Sequence, residues 1–249
     1  MKNVVYRDDS NKIVVLNPKG GCGKTTLATN LASYFARRGP APTLIDTDPI
    51  GYSSRWLERR PEGSPIVHGI RLEQLDTRRS HLWGFRSSKE AGAVIIDTPA
   101  ALTPREIADI TEDADCILVP VLPSAFDVHV STKFIADLLL ITNFERPIGV
   151  IANRTRKNTK SMALLLRTLA SFETPTIGVL RDSQNFVRAT SEGLGIFDLP
   201  PHRVKQDVER MSSVINWIDE TLTRSVEVST VSRFNPLSKL FASGSAHPD

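Results

Sequence analysis

Two cysteines in 249 residues are too few for a disulfide framework, and Cys22 and Cys116 do not have the spacing of a metal-ligand pair. No apolar run approaches the ~18 residues that cross a bilayer. The N-terminus, Met1-Lys-Asn-Val-Val-Tyr-Arg-Asp-Asp, lacks the apolar core of a secretion signal. These absences place the chain in the cytosol by default. There is no internal repeat, and no strong excess of one charge: 31 basic against 28 acidic side chains leave +3. Hydrophobic content of 40% and charged content of 24% are ordinary for a folded domain. The length is large for one domain but common among α/β folds.

What is present alternates. Short, β-branched apolar runs at 12–17, 43–46, 93–97, 115–119, 147–152 and 175–179 read as strands buried on both faces. Helical patterns lie between them at 25–38, 104–112, 125–142, 158–170 and 183–193. Thr103-Pro104-Arg105-Glu106 is a capping box with proline at the first helical position. Val204, Val208, Met211, Ile215, Ile218 and Leu222 recur at helical spacing and predict a closing helix with one apolar stripe. The expected architecture is a doubly wound, mostly parallel sheet flanked by helices, in three Rossmann-like layers. Residues 1–222 would form this domain, and the Ser-rich stretch 223–249 a loosely ordered tail.

The first strand runs into Asn17-Pro18-Lys19-Gly20-Gly21-Cys22-Gly23-Lys24-Thr25-Thr26, directly before a helical segment. Glycines let the backbone turn its N–H groups inward, and the helix dipole favours an anion there. Lys24 would reach the β- and γ-phosphates of a nucleotide and the Thr25 hydroxyl would hold Mg²⁺. The strict G-x-x-x-x-G-K-[ST] pattern fails only at its first place, where Pro18 stands. Asp97 ends the apolar run Val94-Ile-Ile and would emerge beside the loop as a second metal-holding group. Asp46 and Asp48 follow the second strand two residues apart, and in extended backbone both would face the same way.

The loop's extra lysine, Lys19, makes Lys19-Gly-Gly-Cys-Gly-Lys24-Thr-Thr resemble the deviant Walker A motif of the ParA/MinD family of P-loop ATPases. Thr43-Leu-Ile-Asp46-Thr-Asp48-Pro49 is similar to that family's D-x-D-P segment. Ala93-Val-Ile-Ile-Asp97-Thr-Pro99-Ala is similar to its Walker B strand. The resemblance covers roughly residues 12–220. It implies an ATP and Mg²⁺ site built from Lys19, Gly20, Gly21, Cys22, Gly23, Lys24, Thr25 and Thr26, with Thr25, Asp46 and Asp97 on the metal side. It implies that Asp48 orients the attacking water, although Asp46 and Asp48 could exchange roles. It also implies that Lys19 reaches across a nucleotide-sandwich homodimer to the partner's phosphates. Asn153, ending Ile148-Gly-Val-Ile-Ala, resembles the family's adenine-contacting asparagine, with a turn-forming role as the alternative.

A basic region follows. Between 153 and 210, ten Lys and Arg side chains oppose six acids, an excess of four. Arg154, Arg156, Lys157, Lys160, Arg181, Arg188, Arg203 and Lys205 are the candidates for phosphate contacts on double-stranded DNA, salt-sensitive and independent of sequence. By resemblance, the chain is a ParA-type ATPase of slow intrinsic turnover, nucleoid-associated, whose cargo adaptor protein stimulates hydrolysis. The cargo, whether plasmid, chromosome or protein compartment, is not readable. Ile50, in place of the family's glutamine, and the Ser53–Pro61 cluster with Trp56 resemble the small stand-alone members; Trp56 itself reads first as a core residue. The alternatives are a MinD-like membrane-associated ATPase, carried by Arg233–Phe241 but limited by Pro236, and a scaffold that binds ATP without turnover. An iron–sulfur protein sharing the loop is close to excluded, because only Cys116 lies outside it.

Overall fold

The computed structural model describes residues 11–71, 92–156, 159–170 and 174–234, with side chains to residue 224. Strands β1 (Lys12–Val15), β2 (Thr43–Asp46), β3 (His68–Arg71), β4 (Val94–Asp97), β5 (Cys116–Val121), β6 (Ile148–Thr155) and β7 (Thr176–Arg181) form one parallel sheet. Its order is β3-β2-β4-β1-β5-β6-β7. Helices are α1 (Lys24–Ala36), α2 (Tyr52–Glu58), α3 (Pro104–Thr111), α4 (Ala125–Ile141), α5 (Lys160–Leu169), α6 (Gln184–Ser191) and α7 (Pro201–Phe234), with a 3₁₀ turn at Ile196–Asp198.

Alternation along β1 builds both layers. Ile13 and Val15 join a cluster with Leu27, Leu31, Trp56, Met211, Ile215 and Ile218 on the α1/α7 face. Val14 and Leu16 join Ile107, Ile135, Leu138 and Leu165 on the α3/α4/α5 face. A side-chain period of two sends successive residues to opposite faces. Central strands therefore read as continuous apolar runs, as expected of a doubly wound fold. The capping box forms as read: the Glu106 N–H donates to Thr103 Oγ1 at 3.3 Å, and the Thr103 N–H to Glu106 Oε2 at 2.7 Å.

Three elements differ from the sequence expectation. The edge strand β3 was not foreseen, because His68 and Gly69 are exposed and give no apolar signal. Most of the Ser53–Pro61 cluster lies in helix α2, which buries only Ser53 and Trp56 and so shows no long apolar stripe. The last helix runs to Phe234, past the boundary expected at Leu222, while residues 235–249, including most of the Arg233–Phe241 segment, lie outside the described residues. Among the described residues no helix is long and apolar enough to cross a membrane.

The strand order reverses direction around β1: α1 leads left to β2, while α3 crosses from β4 to β5 on the right. The crevice at the C-terminal ends of these strands is where doubly wound folds bind ligands.

Candidate nucleotide-binding site

The loop after β1 is anchored from below. Buried Asn17 donates from Nδ2 to Pro120 O at 2.8 Å and accepts the Lys19 N–H on Oδ1 at 2.8 Å. The loop then turns through Gly21 and Gly23 at φ 74° and 102°, and the chain enters α1. Gly23 is doubly constrained, since a Cβ there would also lie 2.2 Å from Asn153 Nδ2. Helices α3, α4, α5 and α6 are each capped by a Ser or Thr side chain; α1 has none, and no acid in its first turn. Its first N–H groups are left for an anion. Lys24 is buried and its Nζ donates to Lys19 O at 3.1 Å, so the ammonium is curled under the loop.

Asp46, Asp97 and Val15 are brought level by the sheet register: Asp97 lies between β2's Asp46 and β1's Val15. Asp97 is fully buried and neither carboxylate oxygen has a hydrogen-bond partner. Burial pushes its pKa from 3.8 to about 7; the nearby Thr25 hydroxyl opposes the rise and the Asp46 carboxylate adds to it. Because no donor is in hydrogen-bond geometry, Thr25 and Ser53 act on it as near dipoles. Two buried, partnerless carboxylate oxygens beside a threonine hydroxyl fit a hard, oxygen-liganded cation such as Mg²⁺. Among the described residues no cluster of three or more His, Cys, Asp or Glu could hold a metal alone. That suits Mg²⁺, which keeps waters and substrate phosphate oxygens in its shell.

Asp46, which ends β2, and Asp48 make different hydrogen bonds. Asp46 accepts the Asp48 N–H at 3.1 Å on one oxygen and the Ser54 N–H and hydroxyl at 2.8 and 2.6 Å on the other. It shapes the 47–54 loop and starts α2. Asp48 is half-buried and spends one oxygen on the Ile50 N–H at 2.9 Å. The two carboxylates thus have different partners: Asp46 holds the Asp48 and Ser54 N–H groups, and Asp48 holds that of Ile50.

Lys19 sits at the rim. Its Nζ lies 3.4 Å from Asp127 Oδ1 and 4.4 Å from the centre of the Phe126 ring, both at the start of α4. Asp127 is set by Ser124, which caps α4 and also hydrogen-bonds its carboxylate. Sequence reading named neither Phe126 nor Asp127, although Ser124-x-x-Asp127 is a helix-start signal.

A cavity of about 490 Å³ opens on the other side of Gly23, between Thr26, Asn30 and Asn153 and the segment Leu180–Val187. Its size suits a nucleoside. Asn153 is not open toward it as a simple base reader: Nδ2 donates to Cys22 O at 2.7 Å, and Oδ1 accepts the Arg154 N–H at 2.9 Å. It bolts β6 to the phosphate loop and holds Arg154 at φ 50°.

The basic candidates divide. Arg156 pairs with Asp182, Arg188 with Glu192, and Arg181 with buried Asp207. Arg154, Lys160, Arg203 and Lys205 are exposed without an ion-pair partner among the described residues, and Lys157 lies outside them. Trp56 is core, 2% exposed, and donates from Nε1 to Leu194 O at 3.0 Å. Arg60 packs on its ring and reaches Asp198.

Comparison with known proteins agrees with this geometry. Residues 13–196 match the CobQ/CobB/MinD/ParA nucleotide binding domain. Maintenance of carboxysome distribution protein A of Gloeobacter kilaueensis is 31% identical over 188 residues, 74% of this chain and 82% of that one. Its namesake in Halothiobacillus neapolitanus is 25% identical over 219 residues, 84% and 98% of the two chains. The fold superposes on a putative plasmid partition protein from Borrelia burgdorferi bound to AMPPNP with a TM-score of 0.62, at 18% identity, covering 83% of this chain and 99% of that one. The matched span holds the phosphate loop, both aspartate-ending strands and Asn153, and the chain belongs to the ParA/MinD family of P-loop nucleotide-binding proteins.

Proposed function

We propose that the chain is a ParA-type ATPase that dimerises on ATP, binds double-stranded DNA without sequence preference and positions a cargo. Carboxysome-distribution relatives make a protein compartment the first cargo to consider. The carrying observation is that Lys19 stands at the loop rim, on Asp127 and Phe126, while Lys24 alone occupies the cradle. On release from Asp127, a cation at this rim would meet phosphates on a facing subunit, and two opposed anionic nucleotides need cations from both sides.

In this reading the α1 N–H groups and Lys24 hold the triphosphate, and Thr25 and Asp97 would hold Mg²⁺. The metal supplies charge neutralisation for phosphoryl transfer to water. Asp46 keeps the 47–54 loop in shape. Asp48, with one oxygen tied to Ile50, orients the water with the other. Asn153 exchanges Cys22 O for the adenine edge, so base binding and phosphate-loop geometry are linked. Arg154, Lys160, Arg203 and Lys205 supply the DNA contacts, Lys157 remains a candidate, and Arg156, Arg181 and Arg188 are held in ion pairs. Turnover is slow until a cargo adaptor stimulates it, and the protein works in the cytoplasm on the nucleoid.

Sedimentation of wild type and Lys19→Ala with and without ATP tests the reading. The wild type dimerises with ATP; the variant binds ATP and stays monomeric. An ATP dimer of equal strength in the variant removes Lys19 from this role.

A further inference from the structure

Asp207 is a charged residue on an apolar stripe. It follows Val204 by three positions and precedes Met211 by four, facing the sheet from α7, and it is 1% exposed. Its carboxylate collects four donors. Arg181 gives a two-pronged pair, Nε to Oδ1 at 2.5 Å and Nη2 to Oδ2 at 3.0 Å. Ser183 Oγ donates at 3.0 Å and Asn185 Nδ2 at 2.6 Å. Asn185 Nδ2 also reaches Arg203 O at 3.1 Å, in the first turn of α7. Arg181 holds the Asp207 carboxyl in its charged form against the upward push of burial, and its own pKa rises from the pairing.

A buried ion pair is weak as a source of stability, because desolvation offsets the attraction; an apolar side chain at this stripe position would dock α7 as well. What the arrangement does supply is a fixed position. All four donors come from the 181–185 segment, and Arg181 and Ser183 themselves line the 490 Å³ cavity. On the far side of the junction, the first two turns of α7 carry Arg203 and Lys205, exposed and without ion-pair partners among the described residues. The hydrogen bonds of this junction are the route by which a shift of 181–185 would reach the first turns of α7. About one turn further on, Arg210 ties the same helix to β7 through Val179 O at 3.0 Å.

We propose that the Asp207–Asn185 junction couples occupancy of the nucleotide cavity to the start of α7, and so sets Arg203 and Lys205 according to nucleotide state. The inference deepens the functional reading above and rests on its nucleotide site, but not on its DNA partner. Asp207 and Asn185 act as positioning residues.

Amide hydrogen exchange on the full chain, with and without AMPPNP and Mg²⁺, tests it in wild type, Asn185→Ala and Asp207→Asn. In wild type, nucleotide slows exchange at 17–27, 181–190 and 201–208. In Asn185→Ala the first two regions keep their protection, while the response at 201–208 falls by about fivefold, the lower range of site-to-site coupling. Asp207→Asn behaves alike; should it fail to fold, Asn185→Ala, at a half-buried position, carries the test. A merely structural junction would lower the melting temperature and leave the nucleotide response at 201–208 in place, and that result overturns the proposal. So does a wild-type α7 that ignores nucleotide. Coupled exchange in a protein that never binds DNA sinks the DNA reading and leaves the junction standing.

Discussion

Replacing Asp97 with Asn should make the nucleotide-free protein more stable while abolishing its hydrolysis. The carboxyl is fully buried with no hydrogen-bond partner, and burial raises its pKa from 3.8 to about 7. Between those values the folded state holds a proton that the unfolded state has lost. Its contribution to stability is complete below 3.8 and is lost as pH climbs through about 7. Each unit is worth about 1.4 kcal/mol, so the wild type forfeits about 4 kcal/mol by pH 8, and less than about 2 kcal/mol at pH 5. Asparagine, neutral throughout, escapes the loss. In a chain this long 1 kcal/mol moves the melting temperature by about 2–4 °C, so Asp97→Asn should melt about 8–16 °C above wild type at pH 8, without nucleotide or Mg²⁺. The gap should shrink by more than half at pH 5. Equal melting at pH 8, or a gap independent of pH, would refute the argument that an uncompensated carboxylate is held at the end of β4.

Asp48→Ala should hold the ATP-bound dimer, because the group assigned to the attacking water is gone; unchanged turnover measured by phosphate release would move that role elsewhere. Trp56→Ala should cost about 3–5 kcal/mol, the range for emptying a large buried aromatic site. It also leaves Leu194 O without its donor and the Arg60 side chain without its platform. A urea midpoint within error of wild type would contradict the core assignment.

The parts of this molecule that were legible from its residues are those set by local chemistry. Ile13–Leu16 alternates between two buried faces, and the Lys19–Thr26 spacing has one structural solution between a strand and a helix. Thr103–Glu106 caps its helix by a bond only three residues long. The parts that were not legible depend on contacts distant in the chain. The bond from Asn153 to Cys22 joins residues 131 positions apart, and no pattern near either one announces it. Lys19 meets Asp127 through the packing of α4 over the loop. β3 was missed because an edge strand with exposed His68 lacks the double-sided apolar signal. Arg181 looked like one more surface cation until α7 brought Asp207 against it; an aspartate in register with Val204 and Met211 was the available hint. The helical end at Phe234 was missed because the apolar stripe stops at Leu222 while the backbone continues.

The central claim is a nucleotide-switched grip on DNA, and binding to a non-specific duplex with ATP, with ADP and without nucleotide, across a salt series, tests it most directly. The account predicts binding with ATP alone. With four to five phosphate contacts per protomer, eight to ten in the dimer, the logarithm of affinity should fall against log salt with a slope of about −8. Equal binding in all three nucleotide states, or none in any, would contradict it.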